Sequence, residues 1–117
     1  MYIYINGNKL TAELGDNSSA EALVKLLKEG DITYAADDYG NFEKVGSLGH
    51  TLPRNDERIT ARPGDVILYL GSNICLYYGV NTYNFTRLGS IVGHSEGEMR
   101  TLLSAGSGEI SITLSLN

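Results

Sequence analysis

The chain opens on an alternation of apolar and polar positions. Tyr2-Ile3-Tyr4-Ile5 leads into Asn6-Gly7, and from Lys9 to Leu14 the apolar Leu10, Ala12 and Leu14 interleave with Lys9, Thr11 and Glu13. Asn-Gly readily takes the positive φ angles of a type I′ turn, so the segment reads as a hairpin whose second strand has one face on a core and one in water. The period then changes. Over Ser18 to Glu29, Ala20, Leu23, Val24 and Leu27 fall on one side of a helix, Ser18 and Glu21 have capping-box spacing, and Gly30 ends it. Ile32 and Tyr34 alternate again before a loop predicted at Asp37-Asp38-Tyr39-Gly40-Asn41, and a short strand restarts at Phe42.

Gly46 to Gly64 has no regular pattern. It carries both prolines, Pro53 and Pro63, and the charged run Arg54-Asn55-Asp56-Glu57-Arg58, and reads as a long surface loop. Val66 to Leu70 and Ile74 to Val80 flank Gly71-Ser72-Asn73; their β-branched and aromatic content predicts a central hairpin buried on both faces. Phe85 to Val92 predicts another strand, and Ser95 with Glu98 caps a second short helix that buries Met99, Leu102 and Leu103. Ile110, Ile112, Leu114 and Leu116 then alternate with Ser111, Thr113 and Ser115, the clearest period of two in the chain. Seven or eight short strands with two helices predict a mostly β fold closed into an antiparallel barrel, since closure removes exposed edges; the first and last strands are the ones expected to pair.

Composition narrows the classes of function. At 117 residues with 42% hydrophobic and 20% charged positions, the chain is expected to form one folded domain over residues 1–117. A net charge of -5 gives no support to a phosphate-binding surface, so nucleic acid is not an expected partner. No apolar run approaches the roughly 20 residues that span a bilayer, so no membrane partner is expected either. Met1 enters the first strand with no basic region ahead of it, which predicts a cytoplasmic chain. The lone Cys75 cannot form an internal disulfide and reads as a small buried hydrophobe.

Pro63-Gly64-Asp65-Val66-Ile67-Leu68-Tyr69, then Ile74-Cys75-Leu76-Tyr77-Tyr78-Gly79, then Thr86-Arg87-Leu88-Gly89-Ser90-Ile91 resemble the small bacterial cyclophilin-like family. Leu14 to Asn17, Phe42 to Leu48 and Leu52-Pro53 fall in the family's order, so the resemblance covers most of the chain. It implies a cyclophilin-like β-barrel of about eight strands with two short helices, without implying a reaction. Leu88 to Gly93 looks like the strand and turn that precede the late helix of true cyclophilins. The regions that in true cyclophilins place an arginine, a glutamine and a histidine beside an aromatic proline pocket have no counterpart here, and the chain has no Trp.

Candidate chemistry is sparse. Arg87, on a strand next to the core, has the planar fork that receives a carbonyl or carboxylate, and the family pattern makes Glu43 its natural partner. Successive strand positions send Tyr77 and Tyr78 to opposite faces, so at most one of them lines the barrel interior. Tyr39 and Phe42 form a prospective pocket lip. The binding residues expected from sequence are therefore Tyr39, Phe42, Glu43, Tyr78 and Arg87, holding a peptide segment or small molecule in a shallow aromatic pocket; no catalytic residue is assigned. Asp37, Asp38 and Glu43 lack the spacing of a calcium loop, and Cys75, His50 and His94 are not spaced as a zinc site, so no metal is expected. No phosphate loop, dinucleotide fingerprint or nucleophile elbow occurs, so no cofactor is expected, and the glycines read as turn formers. Two other readings stand beside the binding domain: a weak peptidyl-prolyl isomerase in which Arg87 polarises the proline amide, and a non-catalytic interaction subunit that uses the charged loop from Arg54 to Arg62.

Overall fold

The computed structural model describes residues 1–117 and runs β1 (Tyr2–Ile5), β2 (Asn8–Leu14), α1 (Ser18–Glu29), β3 (Ile32–Tyr39), β4 (Glu43–Ser47), β5 (Glu57–Ala61), β6 (Asp65–Tyr69), β7 (Asn73–Tyr77), β8 (Asn81–Ile91), α2 (Glu96–Leu102) and β9 (Ile110–Ser115). Eight strands close a ring in the order β2-β1-β9-β3-β4-β7-β6-β8, with β8 returning to β2, and β5 lies outside it on β8. All pairings are antiparallel. The terminal strands pair as their alternation predicts, Tyr2 opposite Ser115 and Ile5 opposite Ile112.

The ring closes between β2 and β8, where Leu14 faces Gly89. A Cβ on Gly89 would lie 2.1 Å from the Glu13 carbonyl oxygen, so this glycine permits a close approach of two strands and is not a turn former. Inward positions fill the ring. Ile3, Ile5, Leu10, Val66, Leu68, Ile74, Leu76, Tyr78, Leu88, Ile112 and Leu114 form one buried cluster with Leu23 and Leu27 of α1 and Met99 of α2. The capping box of α2 is present at Ser95 and Glu98. For α1 the cap sits one residue earlier than expected: the Asn17 side chain accepts from the Ala20 N–H at 2.8 Å.

Three boundaries differ from the sequence expectation. Strand β3 continues through Asp37 and Asp38 to Tyr39, because Asp37, Asp38 and Tyr39 pair with Val45, Lys44 and Glu43. The expected loop shrinks to Gly40-Asn41-Phe42. The stretch read as a long loop contains β5, which pairs from Glu57 opposite Phe85 to Ala61 opposite Asn81. Strand β8 correspondingly begins at Asn81, not Phe85.

The β5–β8 arm covers part of the ring's outer surface. Ala61 and Phe85 bury against the outward-facing Ile67, Cys75 and Tyr77 in a second apolar cluster, with Phe42, Val45, Ile59 and Tyr69 around it. No helix is long and apolar enough to cross a membrane.

Candidate functional site

An eight-stranded ring is just wide enough for its own side chains to fill, and this one is filled. The candidate site therefore lies on the outside, beside the second apolar cluster. Register builds it. On the outward faces of β3, β4 and β7, Tyr39, Glu43 and Tyr77 form one cross-strand row. Val45 and Cys75 form the next, and β6 continues it with Ile67. The arm supplies the opposite wall through Tyr83 and Phe85, with Asn81 at one end.

The result is a cleft of about 680 Å³. Its aromatic walls are Tyr39, Phe42, Tyr69, Tyr77, Tyr83 and Phe85. These rings touch in series. Tyr39 meets Phe42 edge-on at 6.0 Å, Phe42 stacks on Tyr77 at 5.6 Å, Tyr77 meets Phe85 at 6.1 Å, Phe85 meets Tyr83 at 6.3 Å, and Tyr83 meets Tyr69 at 6.1 Å. Each pair lies in the centroid range of favourable aromatic contact. Tyr77 and Phe85 are buried in the floor, while Tyr39 is 65% and Tyr83 51% exposed at the rim.

The turn before β4 places Phe42. Gly40 has φ +61, and a Cβ there would lie 2.2 Å from the Phe42 ring, so the lip depends on a residue without one. The Phe42 carbonyl accepts from the N–H groups of Tyr78 and Gly79 at 2.9 and 3.0 Å, tying the lip to the end of β7.

Glu43 supplies the floor's one carboxyl group and is only 6% exposed. Desolvation raises its pKa, and the Cys75 thiol and Tyr77 hydroxyl, as donors facing the carboxyl, offset that only in part. Burial also pushes the Cys75 thiol and the Tyr77 phenol well up, with the Glu43 charge adding to both, so each stays neutral at physiological pH. Asn81 Nδ2 donates to the Tyr77 hydroxyl at 3.3 Å. No basic side chain lines the cleft, and no salt bridge involves Glu43.

Of the residues expected from sequence, Tyr39, Phe42 and Glu43 come together here. Tyr78 does not join them. It points into the filled ring, where its hydroxyl donates to Asp38 at 2.8 Å, and burial followed by the Asp38 contact raises its pKa to about 12. Nor does Arg87 meet Glu43: its guanidinium pairs with Asp65 at 3.0 Å and donates to the Thr60 carbonyl at 3.1 Å, clamping the connection between β5 and β6. Asp37 and Asp38 do not gather with Glu43, because β3 turns Asp38 inward onto Lys44. Tyr69, Tyr77, Tyr83 and Phe85 were absent from the expected set. Period-2 alternation extended back to Asn81 puts Asn81, Tyr83 and Phe85 on one face, the signal that finds the arm's wall.

A cyclophilin-like family model matches residues 3–115. The chain belongs to the cyclophilin-like family. Among solved structures, it is similar to a hypothetical protein of Archaeoglobus fulgidus determined in solution, with 19% identity and a TM-score of 0.68 over 99% of this chain and 92% of that one. At that identity the likeness concerns the fold alone. No curated protein sequence matches the chain. Family membership accounts for the ring, while the contents of the cleft belong to this chain's own residues.

Proposed function

We propose that this cyclophilin-like domain is a binding module that holds a small molecule or a side chain of a peptide segment in the outer aromatic cleft. The observation that carries the reading is the union of six aromatic rings with one nearly buried, salt-bridge-free carboxyl group in a cleft of about 680 Å³. Ligand pockets of this kind are concave, largely apolar and equipped with few polar groups that fix orientation. The cleft takes the apolar body of a ligand, and Glu43 and Asn81 are the polar groups that orient it. Arg87 has no part in this site: it is engaged by Asp65 and Thr60, so the geometry lends no support to a mechanism in which it polarises a prolyl amide there.

An amide chemical-shift titration against a panel of short peptides and common metabolites tests the reading. Shifts should gather on β4, β7 and the first half of β8, and should weaken in Tyr83→Ala, whose side chain stands at the rim. Shifts that gather elsewhere, or a silent panel, would remove the proposal.

A further inference from the structure

Resting on the reading of the cleft as a binding site, we infer that its ligand carries an alkylated ammonium group, held over the aromatic rings with Glu43 as counter-ion. Three observations converge. The rings of Tyr39, Phe42, Tyr77, Phe85, Tyr83 and Tyr69 contact one another in an unbroken series along the cleft. The faces of such rings are negative, and a cation with poor hydration gains most from them. Glu43 sits in the floor with 6% of its surface exposed. No basic side chain lines the cleft; Lys44, next to Glu43 on β4, pairs with Asp38, and Arg87, two residues beyond Phe85 on β8, pairs with Asp65. A buried carboxylate is ordinarily paired or else neutralised by protonation, and a cationic ligand supplies the counter-charge that no basic side chain of the chain provides.

The chemistry of the walls selects among cations. A primary ammonium carries three donors that must all be satisfied once water is removed. Beside Glu43 and the Asn81 amide, the side-chain acceptors of the lining are the phenol oxygens of Tyr39, Tyr69, Tyr77 and Tyr83, which lie at the ring edges and not over the ring faces. An ammonium covered by alkyl groups has no such need and presents apolar surface to the rings. Anions are disfavoured because the lining holds a carboxyl and no cation.

The other titratable groups facing Glu43 from the packed elements are the phenols of Tyr39, Tyr69, Tyr77 and Tyr83 and the thiol of Cys75. None of these is a carboxyl or an imidazole, so acid titration of the cleft is titration of Glu43. Binding of a permanent cation stabilises the carboxylate, and affinity rises with pH through the range in which the free Glu43 ionises.

The test compares choline with 3,3-dimethylbutan-1-ol, its neutral carbon isostere, by calorimetry and amide shifts on the full chain. Choline is expected to bind at the cleft at least about tenfold more tightly than the isostere, a ratio equivalent to about 1.4 kcal/mol. Glu43→Gln should remove most of that ratio and flatten the pH dependence of choline binding. Tyr83→Leu, at a position 51% exposed, keeps an apolar side chain without the ring face and should lower choline affinity more than that of the isostere. Equal binding of the two probes in the cleft overturns the cation inference and leaves the cleft reading intact. Silence of the cleft toward both probes also overturns the inference, and silence toward the peptide and metabolite panel as well removes the reading beneath it.

Discussion

Asp38 accepts from four donors at once, and Asp38→Asn isolates what that arrangement contributes. Its Oδ1 takes the Tyr78 hydroxyl at 2.8 Å and the Gly106 N–H at 3.0 Å; its Oδ2 takes the Gly108 N–H at 2.9 Å and Lys44 Nζ at 3.0 Å. Asparagine keeps the shape but turns one of those oxygens into an amide nitrogen, which faces donors whichever way the side chain flips. Lys44, with a side chain 0% exposed, then loses its counter-charge in either orientation, though its hydrogen bond to the Gly108 carbonyl remains. Removing one partner of a buried pair costs about 3–5 kcal/mol, and because the Asp38 side chain is 20% exposed, water relieves part of that. We expect a loss of about 3 kcal/mol out of a total stability of order 5–15 kcal/mol. At about 4 °C per kcal/mol for this size, Tm falls by about 12 °C.

Urea denaturation followed by far-UV circular dichroism measures the loss, and Asp38→Asn combined with Lys44→Met supplies the control. The double variant removes the stranded ammonium and should recover more than about 1 kcal/mol relative to Asp38→Asn alone. The pH dependence carries the same sign. Desolvation pulls the Asp38 carboxyl upward, but the bonds from Gly106, Gly108, Tyr78 and Lys44 outweigh it and hold the pKa well below the usual carboxylate range. A depressed folded pKa contributes stability that is present above the unfolded value near ~3.9 and is lost as pH falls toward the folded one. The gap between wild type and variant should therefore narrow below about pH 4. A loss under about 1 kcal/mol, or additive single variants, would refute the network as the anchor of β3.

Three further outcomes follow from the same geometry. Glu43→Gln keeps volume and removes the buried acid; since burial raises the folded pKa above the usual 4.5, wild type loses stability as pH rises through that value, so the variant's Tm relative to wild type should be higher near pH 8 than near pH 4, and a pH-independent difference contradicts it. The buried Tyr34 hydroxyl has no hydrogen-bond partner, so Tyr34→Phe should be neutral or stabilising by up to about 1 kcal/mol in urea denaturation, and a comparable loss shows that a partner exists. Gly40→Ala sets a Cβ 2.2 Å from the Phe42 ring at a positive φ, so the ring-current shifts of Tyr77, which stacks on Phe42, should change along with a destabilisation of about 1–2 kcal/mol; unaltered Tyr77 shifts would show that the lip repacks without displacing the ring.

The ring was legible in the sequence wherever one face of a strand meets the core. Leu10, Ala12, Ile112 and Leu114 alternate cleanly and lie in the interior. Strand β5 was not legible, because an edge strand protects itself with charge: Glu57 and Arg58 are exposed, and only Ile59 and Ala61 join the apolar cluster. The start of β8 was hidden for a related reason. Asn81, Thr82, Tyr83 and Asn84 border solvent and cleft, so they lack the apolar face that betrays a strand. The candidate site was half legible. Alternation does separate Tyr77 from Tyr78, but which of the two meets a ligand depends on whether the barrel's inside or outside is open, and that is decided by how completely side chains fill the ring.

Glu43 and Lys44 make the same point at adjacent positions of one strand. Pleating sends Lys44 into the ring, where a fully buried ammonium is matched by Asp38 and the Gly108 carbonyl. It sends Glu43 out beneath the arm, where an almost fully buried carboxyl meets only a thiol and a phenol. Both are costly to bury, yet only the inward one is neutralised by the fold itself. Structures violate the rules of polar satisfaction chiefly where function requires it. The unmatched acid is therefore the stronger marker of the proposed site than the aromatic rings, since rings of this kind also occur in ordinary cores, whereas an acid buried beneath them without a counter-charge lowers stability at neutral pH and is the group that the proposed cationic ligand would complete.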